Sequence, residues 1–143
     1  MKNNILIVAA LFFTTIFYAQ NQTVMGKWKT IDDETGKAKS IVEIYEKSGK
    51  IYGKVVEILD VEHKNNVCSE CSGSDKNKPI LGMIIIKGLT KEGVDYTNGK
   101  ILDPKNGKSY KCTVTLESKD KLKVRGFVGI SLFGRTQYWY RAK

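Results

Sequence analysis

The sequence predicts an all-β domain, an antiparallel up-and-down β-barrel of about eight strands. Three observations carry this. Short runs rich in β-branched and aromatic residues recur along the chain, split by glycine- and asparagine-bearing turns. Several of these runs alternate apolar and polar residues, the period of a half-buried strand. No stretch beyond the first 20 residues shows a convincing helical period.

The chain begins Met1-Lys2-Asn3-Asn4, and an uncharged, mostly apolar run follows from Ile5 to Ala19. That run is shorter than the roughly 17–25 residues that cross a bilayer. A basic start, a short apolar run and a small residue describe a secretory signal peptide. Residues 1–19 are therefore read as removed on export, and residues 20–143 as one β-barrel domain. Roughly 120 residues suffice for a single core. Removal takes away Lys2 alone, leaving 23 basic and 15 acidic residues, net +8. Such a balance favours anionic partners. The lysines form no run of five and are scattered through nearly every turn, the pattern of a solvated surface.

Val24 to Thr30 reads as a first strand with Trp28 in the inward phase. A polar turn from Asp32 to Lys37 precedes a strand at Ile41–Glu46. Ser48-Gly49 then turns the chain into Ile51–Leu59, a hairpin. Val61 to Pro79 is polar, lacks a period and holds His63, Cys68 and Cys71; long loops of this kind are usually lids or binding loops. Leu81–Ile86 resumes an apolar run. Asn98-Gly99 is expected to turn a hairpin between Val94–Thr97 and Lys100–Leu102, since both residues tolerate φ > 0. Asp103-Pro104-Lys105-Asn106-Gly107 is a further turn. Tyr110, Cys112, Val114 and Leu116 then share one phase, and Leu122, Val124 and Gly126 another. The stretch from Arg125 to Arg141, with three glycines and three arginines, reads as the closing hairpin. Trp139 and Arg141 fall in the inward phase there, Tyr138 and Tyr140 in the outward one.

The candidate functional residues are Gly26, Trp28, Arg125, Arg135, Trp139 and Arg141, for ligand binding or barrel closure. Glycine lets the first strand bend, tryptophan plugs one end, and a late arginine stacks across the ring by cation–π attraction. Gly26-Lys27-Trp28 with Arg141 resembles the signature of lipocalin-like barrels. Cys68-Ser69-Glu70-Cys71 admits three readings: a disulfide, a redox pair or part of a metal site. A redox pair usually opens a helix in a βαβ setting, which is missing here. A closed zinc site needs four ligands, and His63, Cys68 and Cys71 make three. A disulfide suits an exported chain. Cys68–Cys71 is preferred because Cys112 lies in the apolar phase with Val114 and Leu116, as a small buried hydrophobe. No metal and no cofactor is expected.

Longer stretches resemble the bacterial domain-of-unknown-function 2147 family. They are Gly26–Thr30 with Thr35-Gly36-Lys37; Ile51–Lys54; Cys68-x-x-Cys71 before Pro79–Met83; Ile101–Pro104 with Asn106–Tyr110; and Leu122–Phe127 through Trp139. The resemblance implies a small secreted or periplasmic β-barrel and no established reaction.

Catalysis has little to work with. The single histidine, His63, has no serine or cysteine partner with a third orienting group. Asp103-Pro104 is first a turn signal. The chain is therefore read as a non-enzymatic, monomeric, exported barrel with no transmembrane segment and no nucleic-acid partner. It binds a small apolar or amphipathic ligand, or else it is a side-chain-filled barrel acting at the anionic cell envelope. Eight-stranded barrels come in both forms.

Overall fold

The structure is a computed structural model and describes residues 22–143; the segment read as a signal peptide, 1–19, lies outside the described residues. Eight antiparallel strands close into one barrel in sequence order: β1 (Gly26–Ile31), β2 (Ala38–Lys47), β3 (Lys50–Ile58), β4 (Ile84–Glu92), β5 (Asp95–Asp103), β6 (Lys108–Ser118), β7 (Lys121–Phe127) and β8 (Gly134–Arg141). The only helical pieces among the described residues are two 3₁₀ turns, Val61–His63 and Gly73–Asp75, in the β3–β4 loop.

Alternation sets the inward face. Trp28, Val42, Ile44, Ile51, Val55, Ile86, Leu89, Cys112, Val114, Leu122, Val124 and Trp139 are all buried in one cluster. Two glycines on the same face lie where neighbours approach closely. A methyl group on Gly53 would sit 3.1 Å from Ile86 Cβ and 3.2 Å from Val42 Cγ1. One on Gly99 would sit 2.8 Å from Leu89 Cδ2. The side chains of Ile84, Ile101 and Tyr110, nearer the loop end that holds the β1–β2, β3–β4, β5–β6 and β7–β8 connections, are half-buried.

Local turn chemistry explains most connections. Ser48 and Gly49 both have positive φ, and Lys47 pairs with Lys50 across the two-residue turn. The expected hairpin at Asn98-Gly99 is not there. The chain turns earlier, at Gly93-Val94, where Glu92 pairs with Asp95. Asn98 lies inside β5 with φ 63°, and the β5–β6 register shifts between Tyr96 and Gly99. The same tolerance of positive φ that suits a hairpin also suits a bulge. Gly93 offers that tolerance just beyond the apolar run of β4, and the longer strands that result bury more.

The β3–β4 loop does not hang free. It lies against the outer side of β4 and β5, where Asp75 pairs with Lys87 at 3.2 Å. Cys68 and Cys71 form the disulfide and are buried. Gly107 accepts this loop with no clearance: its φ is 70°, and a Cβ there would fall 1.9 Å from the Glu70 carbonyl oxygen. Cys112 is the free cysteine, buried, with its thiol pushed up to about 12 by desolvation.

Candidate functional site

At one end, β1 and β8 meet through few pairs, Trp28 with Arg141 and Lys29 with Tyr140. Side chains complete the seam. The Arg141 guanidinium lies over the Trp28 ring, 4.1 Å from its centroid. Its nitrogens donate to the carbonyls of Met25 (2.7 Å), Thr23 (2.8 Å) and Lys119 (2.9 Å). Trp28 Nε1 donates to the Val24 carbonyl at 2.8 Å. Gly26 is required twice over: its φ is 113°, and a Cβ would stand 3.0 Å from Arg141 Nη1. Trp28, at 0% exposure, thus plugs an end that Arg141 ties to the entering chain and to the β6–β7 turn.

At the opposite end the inward phase of β8 continues through Trp139, Gln137 and Arg135. Trp139 Nε1 donates to Gln137 Oε1 at 3.2 Å, and Gln137 Nε2 donates to Asp33 Oδ1 at 3.2 Å. Arg135 grips both carboxylate oxygens of Asp33, with Nη2–Oδ1 at 2.6 Å, and reaches Glu34 at 3.3 Å. Lys105 adds a looser contact to Glu34 at 3.8 Å. The β1–β2 loop is thereby strapped across the barrel mouth. Hydrogen bonds from the Arg135 guanidinium, with help from Gln137, hold the Asp33 carboxyl below the usual carboxylate range, and Asp33 holds the guanidinium charged. Asp32 caps the same loop. Its Oδ1 accepts from the backbone N–H of Thr35 and of Glu34, both at 2.9 Å. These bonds, Thr35 first, with Lys39 adding to them, lower it to about 2.

Arg125 is in neither place. It points to the outer face, donating to the Ser131 carbonyl at 2.8 Å and to Thr136 Oγ1 at 2.7 Å, and so braces the β7–β8 loop. Of the six candidate residues, then, Gly26, Trp28 and Arg141 come together at one end. Trp139 lies one inward step along β8, Arg135 sits at the mouth, and Arg125 stands outside. His63 hydrogen-bonds Asp60 at 2.7 Å, and the disulfide removes Cys68 and Cys71 as ligands beside it.

Sequence reasoning missed Asp33 and Gln137. The acidic triplet Asp32-Asp33-Glu34 in a turn, with an arginine in the inward phase of the last strand, was the available signal. It also passed over the tip of the β7–β8 loop. Val128, Ile130, Leu132 and Phe133 are 66%, 60%, 75% and 67% exposed. Turns normally carry polar residues, so an apolar tip is a signal in itself.

Two concavities lined by described residues lie outside the barrel. One groove of about 320 Å³ runs between the β3–β4 loop and β4, lined by Asp75, Pro79, Leu81, Met83 and Lys87. Another, of about 290 Å³, is lined by Glu92, Asp95, Thr97 and Thr113.

Among solved structures, the chain is similar to "Protein HP1028 from the human pathogen Helicobacter pylori", a protein described as belonging to the lipocalin family. The TM-score is 0.75 at 23% identity, covering 85% of this chain and 84% of that one. At that identity the likeness concerns the fold, a lipocalin-like barrel. No curated protein matches. The model of a bacterial family described as "Uncharacterized protein conserved in bacteria (DUF2147)" matches residues 26–141, the whole barrel from first strand to last, and the chain belongs to that family.

Proposed function

We propose that this protein is an exported, non-enzymatic barrel that acts through its outer surface at the anionic cell envelope rather than by enclosing a ligand. One observation carries the reading: the inward side chains pack on one another, with Val42, Ile86, Leu89 and Leu122 at 0% exposure, and so leave no open surface inside the barrel for a lipid chain. Both tryptophans of the interior are filled in around, Trp28 at 0% and Trp139 at 2% exposure. Export is supported by the Cys68–Cys71 disulfide, since such bonds persist in oxidising compartments. The net +8 of residues 20–143, 23 basic against 15 acidic, supports an anionic surface as partner.

The test is native mass spectrometry of the protein purified from its own host, joined to titration with a fluorescent fatty acid. The expected result is a clean apo monomer mass and no saturable one-to-one binding. A co-purifying lipid, or saturable binding that quenches Trp139, would replace this reading with that of a ligand carrier working at the half-buried mouth beside Ile101 and Tyr110.

A further inference from the structure

Strand register assembles a feature that the sequence scatters. On the outer face Lys87 of β4 lies directly opposite Lys100 of β5, and Lys100 directly opposite Lys111 of β6. The next position in the row, on β7, is Phe127. Like charges directly opposed on neighbouring strands destabilise a sheet. Relief is partial. Lys87 pairs with Asp75 at 3.2 Å, and Lys111 donates to the Gly129 carbonyl at 3.2 Å. Lys100 is exposed and has no ion-pair partner among the described residues.

The β7–β8 loop is held to this same face. Lys111 and Arg125 both project outward, and both bond loop carbonyls, at Gly129 and at Ser131. The loop therefore leans over the outer side of β6 and β7, not over the mouth. Its tip carries Val128, Ile130, Leu132 and Phe133, each more than half exposed. Cations and apolar tip form one continuous amphipathic surface.

We infer that this surface docks on an anionic phospholipid bilayer, with the apolar tip in the headgroup–acyl boundary and the lysine row on lipid phosphates. The tip is convex. A protein partner must offer a matching pocket, whereas a fluid bilayer accepts a protruding loop without one. Apolar side chains flanked by lysine and arginine are the composition of interfacial anchors. The inference rests on the reading that the barrel works through its outside, but the two fail separately. Native mass spectrometry decides what the interior holds, and vesicles decide what the outer surface binds.

The experiment is flotation with vesicles of phosphatidylcholine alone, or of phosphatidylcholine with one-quarter phosphatidylglycerol. The full chain and the form beginning at Gln20 are both used, the second removing the apolar run Ile5–Ala19 as a source of lipid affinity. The Gln20 form should float with the mixed vesicles, stay behind with phosphatidylcholine, and detach as salt screens the charges. Lys100→Glu should weaken binding by about five-fold or more, the value of one surface cation near an anionic membrane. Ile130→Asp with Leu132→Asp should weaken it more than ten-fold, since two apolar side chains then lose their burial in the acyl boundary. These positions are exposed, so an unchanged melting curve should show that the variants fold. Failure of the Gln20 form to bind mixed vesicles overturns the inference. So does equal binding to both vesicle types, or binding that the tip variant keeps. Capture on polyglutamate with no vesicle binding would also overturn it, in favour of an acidic protein.

Discussion

Arg141 shows how much one side chain can organise. It stacks on Trp28 and satisfies three carbonyls from two segments that approach from different directions. Trp28→Ala should cost about 3–5 kcal/mol, as for other buried aromatics, against a total stability of about 5–15 kcal/mol for a small domain. Arg141→Ala should cost less but leave the Thr23, Met25 and Lys119 carbonyls without their donor. A double-mutant cycle in urea should give a coupling of about 0.5–3 kcal/mol; strictly additive losses would mean that the ring and the guanidinium do not cooperate. The pair was legible in sequence because Gly26-x-Trp28 and Arg141 sit in phases that point inward. Arg125 was not legible in the same way. Its phase marks it as outward, but only the path of the β7–β8 loop shows what it holds. At Cys112 burial predicts a simple outcome. The native thiol should resist alkylation, and the unfolded, oxidised protein should take one label; three labels would mean that Cys68 and Cys71 are not joined.

At the scale of elements, the β1–β2 loop and the β3–β4 loop are fixed by different physics. The first is held by charge. Asp33 has its folded pKa lowered by Arg135, so its contribution is complete above the ordinary carboxylate value of about 3.9. It is lost as pH falls through the lowered folded value. Asp32, at about 2, obeys the same sign over the window from about 4 to 2. Asp33→Asn should therefore lower stability at neutral pH by about 1 kcal/mol or less, as exposed ion pairs do, with the gap to wild type closing in acid. Urea melts across that range measure it, and a gap that widens in acid would contradict the sign. The second loop is held by the disulfide and by the close approach of Gly107. Cys71→Ser should leave the barrel folded, because the bridge lies outside it, while trypsin should cut between 59 and 83 much faster. Cooperative collapse of the whole fold in that variant would show that the loop is part of the core. Turn composition made most of these elements readable. It failed at Asn98-Gly99, because the dipeptide reports tolerance of positive φ and not whether a strand ends there. It also failed for the lysine row, since Lys87, Lys100 and Lys111 become neighbours only once register is known.

For the whole molecule, six of the eight strand junctions run along long ladders and β3–β4 pairs at Ile51–Leu89, Gly53–Ile86 and Lys54–Ile84, but the β1–β8 seam pairs only at Trp28–Arg141 and Lys29–Tyr140, with one further backbone bond from Ala142 to Lys27 at 2.9 Å. Amide exchange should therefore begin at this seam, with protection of Lys29 and Ala142 lost before that of the β2–β3 hairpin; slowest exchange at the seam would place the weak point elsewhere. The barrel's closure from neighbouring hairpins was predictable, since each strand pairs with the next. The narrowness of its last junction was not, because strand lengths do not reveal how far two ends overlap. That junction also has a consequence in time. The first strand pairs with β2 early, but its other edge is closed only by the last, so its tryptophan stays without Arg141 while the intervening strands are synthesised. Contacts between such distant parts of a chain form slowly. In a nascent chain the barrel therefore closes only once β8 has emerged.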